Sequence, residues 1–321
     1  MTNPFSLAVD KLLEATVAGS FSRVGYATRS RLEGWIDPPS LAGRRVLITG
    51  ATSGLGFETA ARLASLGAAV TFVARDNGRA RVAAEALRQR SRNDRIDYLV
   101  GDASDLVAMR RVADDVAARG PLDVLIHNAG AITPVRALSP QGFEVTVAAQ
   151  LLGPFLLTTA LLPALTSARP GRVLSVSSGG MYSQRFDLAT LEMPADGYDS
   201  VVAYAKVKRA QVVLTHEWAR RVARTDVVFH AMHPGWTDTP GLAASLPRFH
   251  AVAKPLLRTP PQGADTLVWL AGDRDALVTS GDFWLDRHPR LEHRVPWTRS
   301  RDPGRDQVEL WDWCVERTSS Y

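Results

Sequence analysis

From residue 44 onward, short runs rich in β-branched and aliphatic residues alternate with longer stretches whose apolar positions recur every three or four residues. The runs RRVLITG (44–50), AAVTFVAR (68–75), IDYLVGD (96–102), LDVLIHNAG (122–130), GRVLSVSS (171–178), DVVFHAMHPG (226–235) and GDFWLD (281–286) predict strands, and GLGFETAARLASLG (54–67) predicts a helix closed by Gly67. Helical stretches separate successive strands. This alternation predicts an α/β fold, a doubly wound parallel sheet of Rossmann type in three α/β/α layers, because parallel strands need long crossovers that pack on the sheet faces.

Two regions fall outside that rhythm. Residues 1–43 carry Phe5, Val9, Leu12 and Leu13 at helical spacing, then a Gly/Ser/Arg stretch, then Pro38 and Pro39. They predict an amphipathic helix and a linker ahead of a single domain over 44–297. The apolar face either packs on that domain or meets a membrane surface or partner through residues 1–30, in which case their removal is expected to spare turnover. Residues 298–321 close with VELWDWCVERTSSY, a tail helix with Trp311 and Cys314 on one side.

Composition narrows the function classes. The chain has 321 residues, 45% of them hydrophobic, so it can bury a sizeable core. Its net charge of +5 is spread without a basic block, and no nucleic-acid partner is expected. Cys314 is the single cysteine, which excludes a disulfide framework and any multi-cysteine metal site; no metal is expected. Asp10, Lys11 and Glu14 interrupt any secretory pattern, and no stretch is expected to reach the ~18 uncharged apolar residues of a membrane span. A reducing, cytoplasmic setting fits, with peripheral membrane association as the alternative.

The chemistry sits in three motifs. In ITGATSGLGFETA (48–60), Gly50, Gly54 and Gly56 join a strand to a helix, the place where backbone N–H groups cradle a phosphate. Serines 175, 177 and 178 crowd the end of one strand. Only four lysines occur, and two of them flank a turn of helix with a tyrosine in YAKVK (204–208). Tyr204 and Lys208, four apart, share a helix face, whereas Lys206 points about 200° from Tyr204. A phenol of pKa ~10 is a poor catalyst at neutral pH, and the lysine charge is expected to lower it.

TGATSGLG (49–56), HNAG (127–130), SVSSGG (175–180) and YAKVK (204–208) together resemble the short-chain dehydrogenase/reductase family over roughly residues 44–290. SSGGM, KRAQVVLTHEWA, HPGWTDTPG and QGADTLVWLA further resemble its member-twelve branch, near the retinol dehydrogenases. The resemblance implies catalysis by Ser178 (Ser177 the alternative), Tyr204 and Lys208, with Gln150 standing where the family has a relay asparagine. It implies nicotinamide-cofactor contacts from Gly50, Thr52, Ser53, Gly54, Leu55, Gly56, Asp102, Ala103, Asn128, Ala129, Gly130, Tyr204, Lys208, Pro234, Gly235, Thr237 and Thr239. At the end of the second strand Arg75 favours NADP(H), while Asp76 leaves NAD(H) open. His233 is expected to be satisfied locally.

The expected activity is hydride transfer between NADP(H) and an apolar ketone, aldehyde or secondary alcohol. Leu242, Leu246, Phe249, Leu256 and Leu257 are expected to line the pocket, with FDLATLEMPADGY (186–198) inserted over its mouth. A second reading is a cofactor-loaded sensor or scaffold whose chemistry faded with Gln150. By resemblance, the helix bearing Tyr204 is expected to support a homo-oligomer.

Overall fold

The computed structural model describes residues 4–321. Among these, β1 (Arg45–Thr49), β2 (Ala69–Ala74), β3 (Ile96–Val100), β4 (Val124–His127), β5 (Gly171–Val176), β6 (Val227–Met232), β7 (Phe283–Leu285) and β8 (His288–Pro289) form one sheet. Their order is β3-β2-β1-β4-β5-β6-β7-β8, with β1 to β7 parallel and β8 antiparallel to β7. The strands are short aliphatic runs because both faces are covered; β4 and β6 are buried at every position.

Helices Gly54–Ser65, Asn77–Ser91 and Pro260–Gly272 cover one face, packing Leu63, Leu87 and Leu267 on Val70 and Phe72. Helices Leu106–Ala117, Gly153–Ala168 and Ser200–Arg221 cover the other, around Leu125, Phe155 and Phe229. Chain order reverses direction between β1 and β4, and such a switch point opens a crevice at the strand ends. The crevice is where the predicted motifs gather.

Three sequence expectations change. Val145–Ala168 is 24 residues without a charge, long and apolar enough to cross a membrane, so the expectation that no such stretch exists fails. Two-thirds of its apolar window is buried inside this protein, and Leu161 and Leu165 are core residues. The Gly/Ser/Arg stretch read as a linker is helical: Pro4–Glu14 is followed by Val17–Phe21 and Arg23–Glu33. Finally, the first helix packs on its own domain through polar residues. Ser6 and Asp10 are buried, whereas Leu12 is 73% exposed.

The reason for that inversion is charge. The Arg29 guanidinium binds Asp10 at 2.6 Å, Glu14 at 2.8 Å and Asp286 at 2.6 Å, and Arg290 binds Asp10 at 2.7 Å. Arg258 closes the cluster on Asp286 at 2.5 Å, with Arg29, Arg258 and Asp286 all buried. Pairing on this scale makes burial of the charges tolerable, and the hydrophobic pattern could not report it.

At the other terminus the helix Pro303–Thr318 buries Leu310 and Cys314. It lies on Ser200–Arg221, with the Trp311 and Trp218 rings 4.6 Å apart and Arg221 over Trp311 at 4.2 Å. That packing covers part of the helix expected to support a homo-oligomer.

Candidate active site

The glycine turn is built by β1 and β4 together. The Thr49 hydroxyl accepts from the Asn128 and Ala129 N–H groups at 3.1 and 3.0 Å, and the Asn128 amide donates to the Thr49 and Gly50 carbonyls at 3.0 and 2.9 Å. Gly50 adopts φ +73°, and a Cβ on Gly56 would collide with the Gly50 carbonyl and the Asn128 amide. Ser53, the N-cap of Gly54–Ser65, makes no side-chain cap hydrogen bond. The first-turn N–H groups therefore have no capping side chain and the helix dipole meets the cleft, an arrangement that fits a cofactor pyrophosphate.

At the end of β5 the serines separate. The Ser177 hydroxyl donates to the Lys208 carbonyl at 2.9 Å and is buried, which anchors the helix. Ser178 caps the short turn Gly179–Ser183, accepting from the Gly180 N–H at 3.2 Å, and lines the cleft together with Tyr204. Both serines line the cleft, but the Ser177 hydroxyl is engaged with the helix backbone.

Tyr204 and Lys208 lie on one face of Ser200–Arg221, the Lys208 ammonium 5.2 Å from the Tyr204 ring centre. Lys208 is 2% exposed and donates to the Val176 carbonyl at 2.7 Å. Lys206 reaches outward to the Thr190 carbonyl at 2.9 Å. The expected lowering of the phenol pKa is not found. The Tyr204 ring keeps some exposure to the cleft, but interior surroundings push its phenol up to about 12, and the nearby Ser178 hydroxyl only partly offsets this. Burial likewise draws Lys208 down to about 7. Desolvation disfavours both charged forms.

Gln150 is buried in a single π turn, Ala148–Leu152, that interrupts the long helix. Its side-chain nitrogen donates to the Ala131 carbonyl at 2.9 Å, and its backbone carbonyl accepts from the Gln211 side chain at 2.7 Å. The side-chain oxygen has no protein partner. It lies beside Gly130: a Cβ there would stand 2.8 Å from that oxygen and 3.1 Å from the Lys208 nitrogen.

All the predicted catalytic and cofactor-contact residues line one cleft of about 1000 Å³. At the end away from Tyr204, Arg75 and Arg79 face it with Asp102 and Ala103. Asp76 lines the cleft as well, and one of its carboxylate oxygens accepts from the Arg79 N–H at 2.7 Å as the cap of the next helix. Asp102 accepts from Ser104 at 2.8 and 2.9 Å. In the loop after β6, the Thr237 hydroxyl donates to Pro234 at 3.0 Å, and Thr239 caps the helix Pro240–Ser245. His233 is buried, accepts from the Gly235 N–H at 3.2 Å and is held well below the usual imidazole range chiefly by burial.

The expected pocket is corrected in two places. Leu242, Leu246 and Phe249 line the cleft, but Leu256 and Leu257 do not. None of residues 186–198 lines it either. Phe186 and Leu191 sink into the core, and the Arg136 side chain and the Tyr198 hydroxyl tie the segment down through Met193 and Glu144. Sequence reasoning also missed Val17, Phe21 and Trp236, which line the cleft. No local signal marks the first two, since their place depends on contacts far along the chain.

The family model described as short chain dehydrogenase matches residues 44–248. The chain is 38% identical over 268 residues to "Dehydrogenase/reductase SDR family member 12" of Homo sapiens, covering 83% of this chain and 84% of that protein. It is 35% identical over 301 residues to "Retinol dehydrogenase 14" of Mus musculus, covering 88% of each. Among solved structures, it is similar to one described as "a putative NAD(P) dependent gluconate 5-dehydrogenase from Beutenbergia cavernae" with bound NADP at low occupancy. There the TM-score is 0.64 and the identity 28%, over 78% of this chain and 97% of that one.

Proposed function

The chain belongs to the short chain dehydrogenase family and is an oxidoreductase; from that premise we propose that it uses NADP(H) to interconvert an apolar ketone or aldehyde and its alcohol. The observation that carries the reading is the placement of Ser178, Tyr204 and Lys208 in the same cleft as the uncapped helix Gly54–Ser65 and Arg75. A bound nicotinamide supplies or accepts the hydride. The residues of this chain manage the proton and the charge on oxygen.

A phenol pushed up to about 12 is protonated at neutral pH, the form that donates. Tyr204 gives its proton to the substrate oxygen as negative charge grows there, and the Ser178 hydroxyl donates a hydrogen bond to the same atom. Lys208, fixed on the Val176 carbonyl, keeps further N–H groups for the phenol and for a ribose hydroxyl. Leu242, Leu246 and Phe249 supply an apolar wall for the substrate. For the cofactor, Arg75 with Arg79 offers positive charge to a 2′-phosphate, while one oxygen of the neighbouring Asp76 is engaged in a helix cap.

The test follows oxidation of NADPH and NADH by a panel of apolar ketones. Tyr204→Phe is expected to lower turnover at least ~10²-fold with little change in NADPH affinity. Arg75→Asp is expected to weaken NADPH by about 1.5–3 kcal/mol and NADH far less. Equal losses for the two cofactors remove the NADP(H) preference, and absence of turnover with either cofactor removes the carbonyl reading.

A further inference from the structure

Phe21 lies 23 residues before the family match begins at residue 44, yet it lines the cleft. It is 3% exposed. Its ring edge is so close to Gly179, the neighbour of Ser178, that a Cβ there would stand 2.7 Å from it. On its other sides the ring meets His233 at 4.4 Å, Tyr182 at 5.9 Å and Trp236 at 6.2 Å between centres, with the Arg294 guanidinium over it at 4.8 Å.

The backbone of this segment is held as firmly as its side chain. Arg258 donates to three successive carbonyls, Ser20 at 2.9 Å, Phe21 at 3.0 Å and Ser22 at 3.2 Å. The Trp236 N–H donates to the Phe21 carbonyl at 2.8 Å, and a Cβ on Gly235 would stand 2.6 Å from that oxygen. Residues 20–22 are therefore wedged between the serine-bearing strand end and the loop after β6. Both flanks are parts of the cleft that the proposed chemistry uses.

We propose that residues 17–22 are a structural wall of the substrate pocket and that Phe21 is a specificity-determining residue, setting the bulk accepted beside the reacting carbonyl. The inference rests on the dehydrogenase reading of the cleft. Val17, 45% exposed and also lining the cleft, stands one helical turn before Phe21 on the same face and forms the outer part of the wall. The geometry reverses the expectation that loss of residues 1–30 spares turnover, since that deletion removes one side of the pocket.

The experiment compares cyclohexanone with the bulkier cyclododecanone in the full-length protein. Phe21→Ala is expected to raise the bulky-to-small ratio of kcat/KM at least tenfold, and Val17→Trp to lower it. The same ratio is measured for dissociation constants in the NADP⁺-loaded protein, where no reduction occurs. An unchanged ratio in both measurements and both variants overturns the proposal. If the wild type turns over neither ketone, the carbonyl reading fails by itself, while the binding ratio still decides the role of Phe21. If Phe21→Ala shows no cooperative melting transition, Phe21→Leu and Val17→Trp carry the test, and a parallel fall for both ketones counts against the proposal.

Discussion

Lys208 shows how far residue types can be trusted and where they mislead. The Tyr-x-x-x-Lys spacing placed the pair on one face, and the resemblance supplied roles, but the sign of the phenol shift depends on depth, which spacing does not encode. With Lys208 drawn from 10.5 to about 7, the unfolded chain binds more protons than the folded one between those values. Stability from this group therefore rises with pH across that window, and the full penalty is present below pH 7. Lys208→Met is accordingly expected to stabilise the cofactor-free protein by up to a few kcal/mol at pH 6, with the gain shrinking toward zero near pH 10. Thermal melting of both proteins at pH 6, 8 and 10 measures it. A gain independent of pH would mean that the lysine is not desolvated.

The helix-bearing elements were legible wherever burial followed hydrophobicity. β1 to β7 read as aliphatic runs because both faces are covered, and the C-terminal helix read correctly as having Trp311 and Cys314 on one side. The N-terminal helix inverted the rule: Asp10 is turned inward by arginines contributed from residues 29 and 290. A local period cannot anticipate partners at that distance. The π turn at Gln150 was likewise invisible, since an extra residue per turn leaves no mark on the apolar pattern. Gln150→Asn retracts the amide by one methylene and weakens its bond to the Ala131 carbonyl. Because the carbonyl of residue 150 stays capped by Gln211, the bulge should persist, and single-turnover reduction is expected to change by less than tenfold, ~1.4 kcal/mol of barrier. A larger loss would make the unpaired side-chain oxygen a participant in proton delivery.

For the whole molecule, Asp286 joins segments that the sequence reading kept apart. It binds Arg258 at 2.5 Å and Arg29 at 2.6 Å with no exposure of its side chain, and its carboxyl is held below the usual carboxylate range because the two guanidinium groups outweigh burial. Asp286→Asn keeps the shape and tolerates the left-handed φ of +54° while leaving two buried arginines short of countercharge. Denaturant unfolding is expected to show a loss of about 3–5 kcal/mol. An unchanged midpoint would place the clamp among decorative contacts.

The clamp also imposes an order of events on a chain made from its N-terminus. Arg29 and Asp286 are 257 residues apart, and Ser20 waits 238 residues for Arg258. A nascent chain that has extended through β6 already holds the glycine turn, Ser178, Tyr204 and Lys208, yet residues 17–22 lack the Trp236 and Arg258 contacts that fix their backbone. The pocket closes only when contacts of the longest range form, and loop closure of that kind is slow compared with local helix formation. The pocket wall at residues 17–22 is therefore completed only after the segments that carry Ser178, Tyr204 and Lys208 have been made.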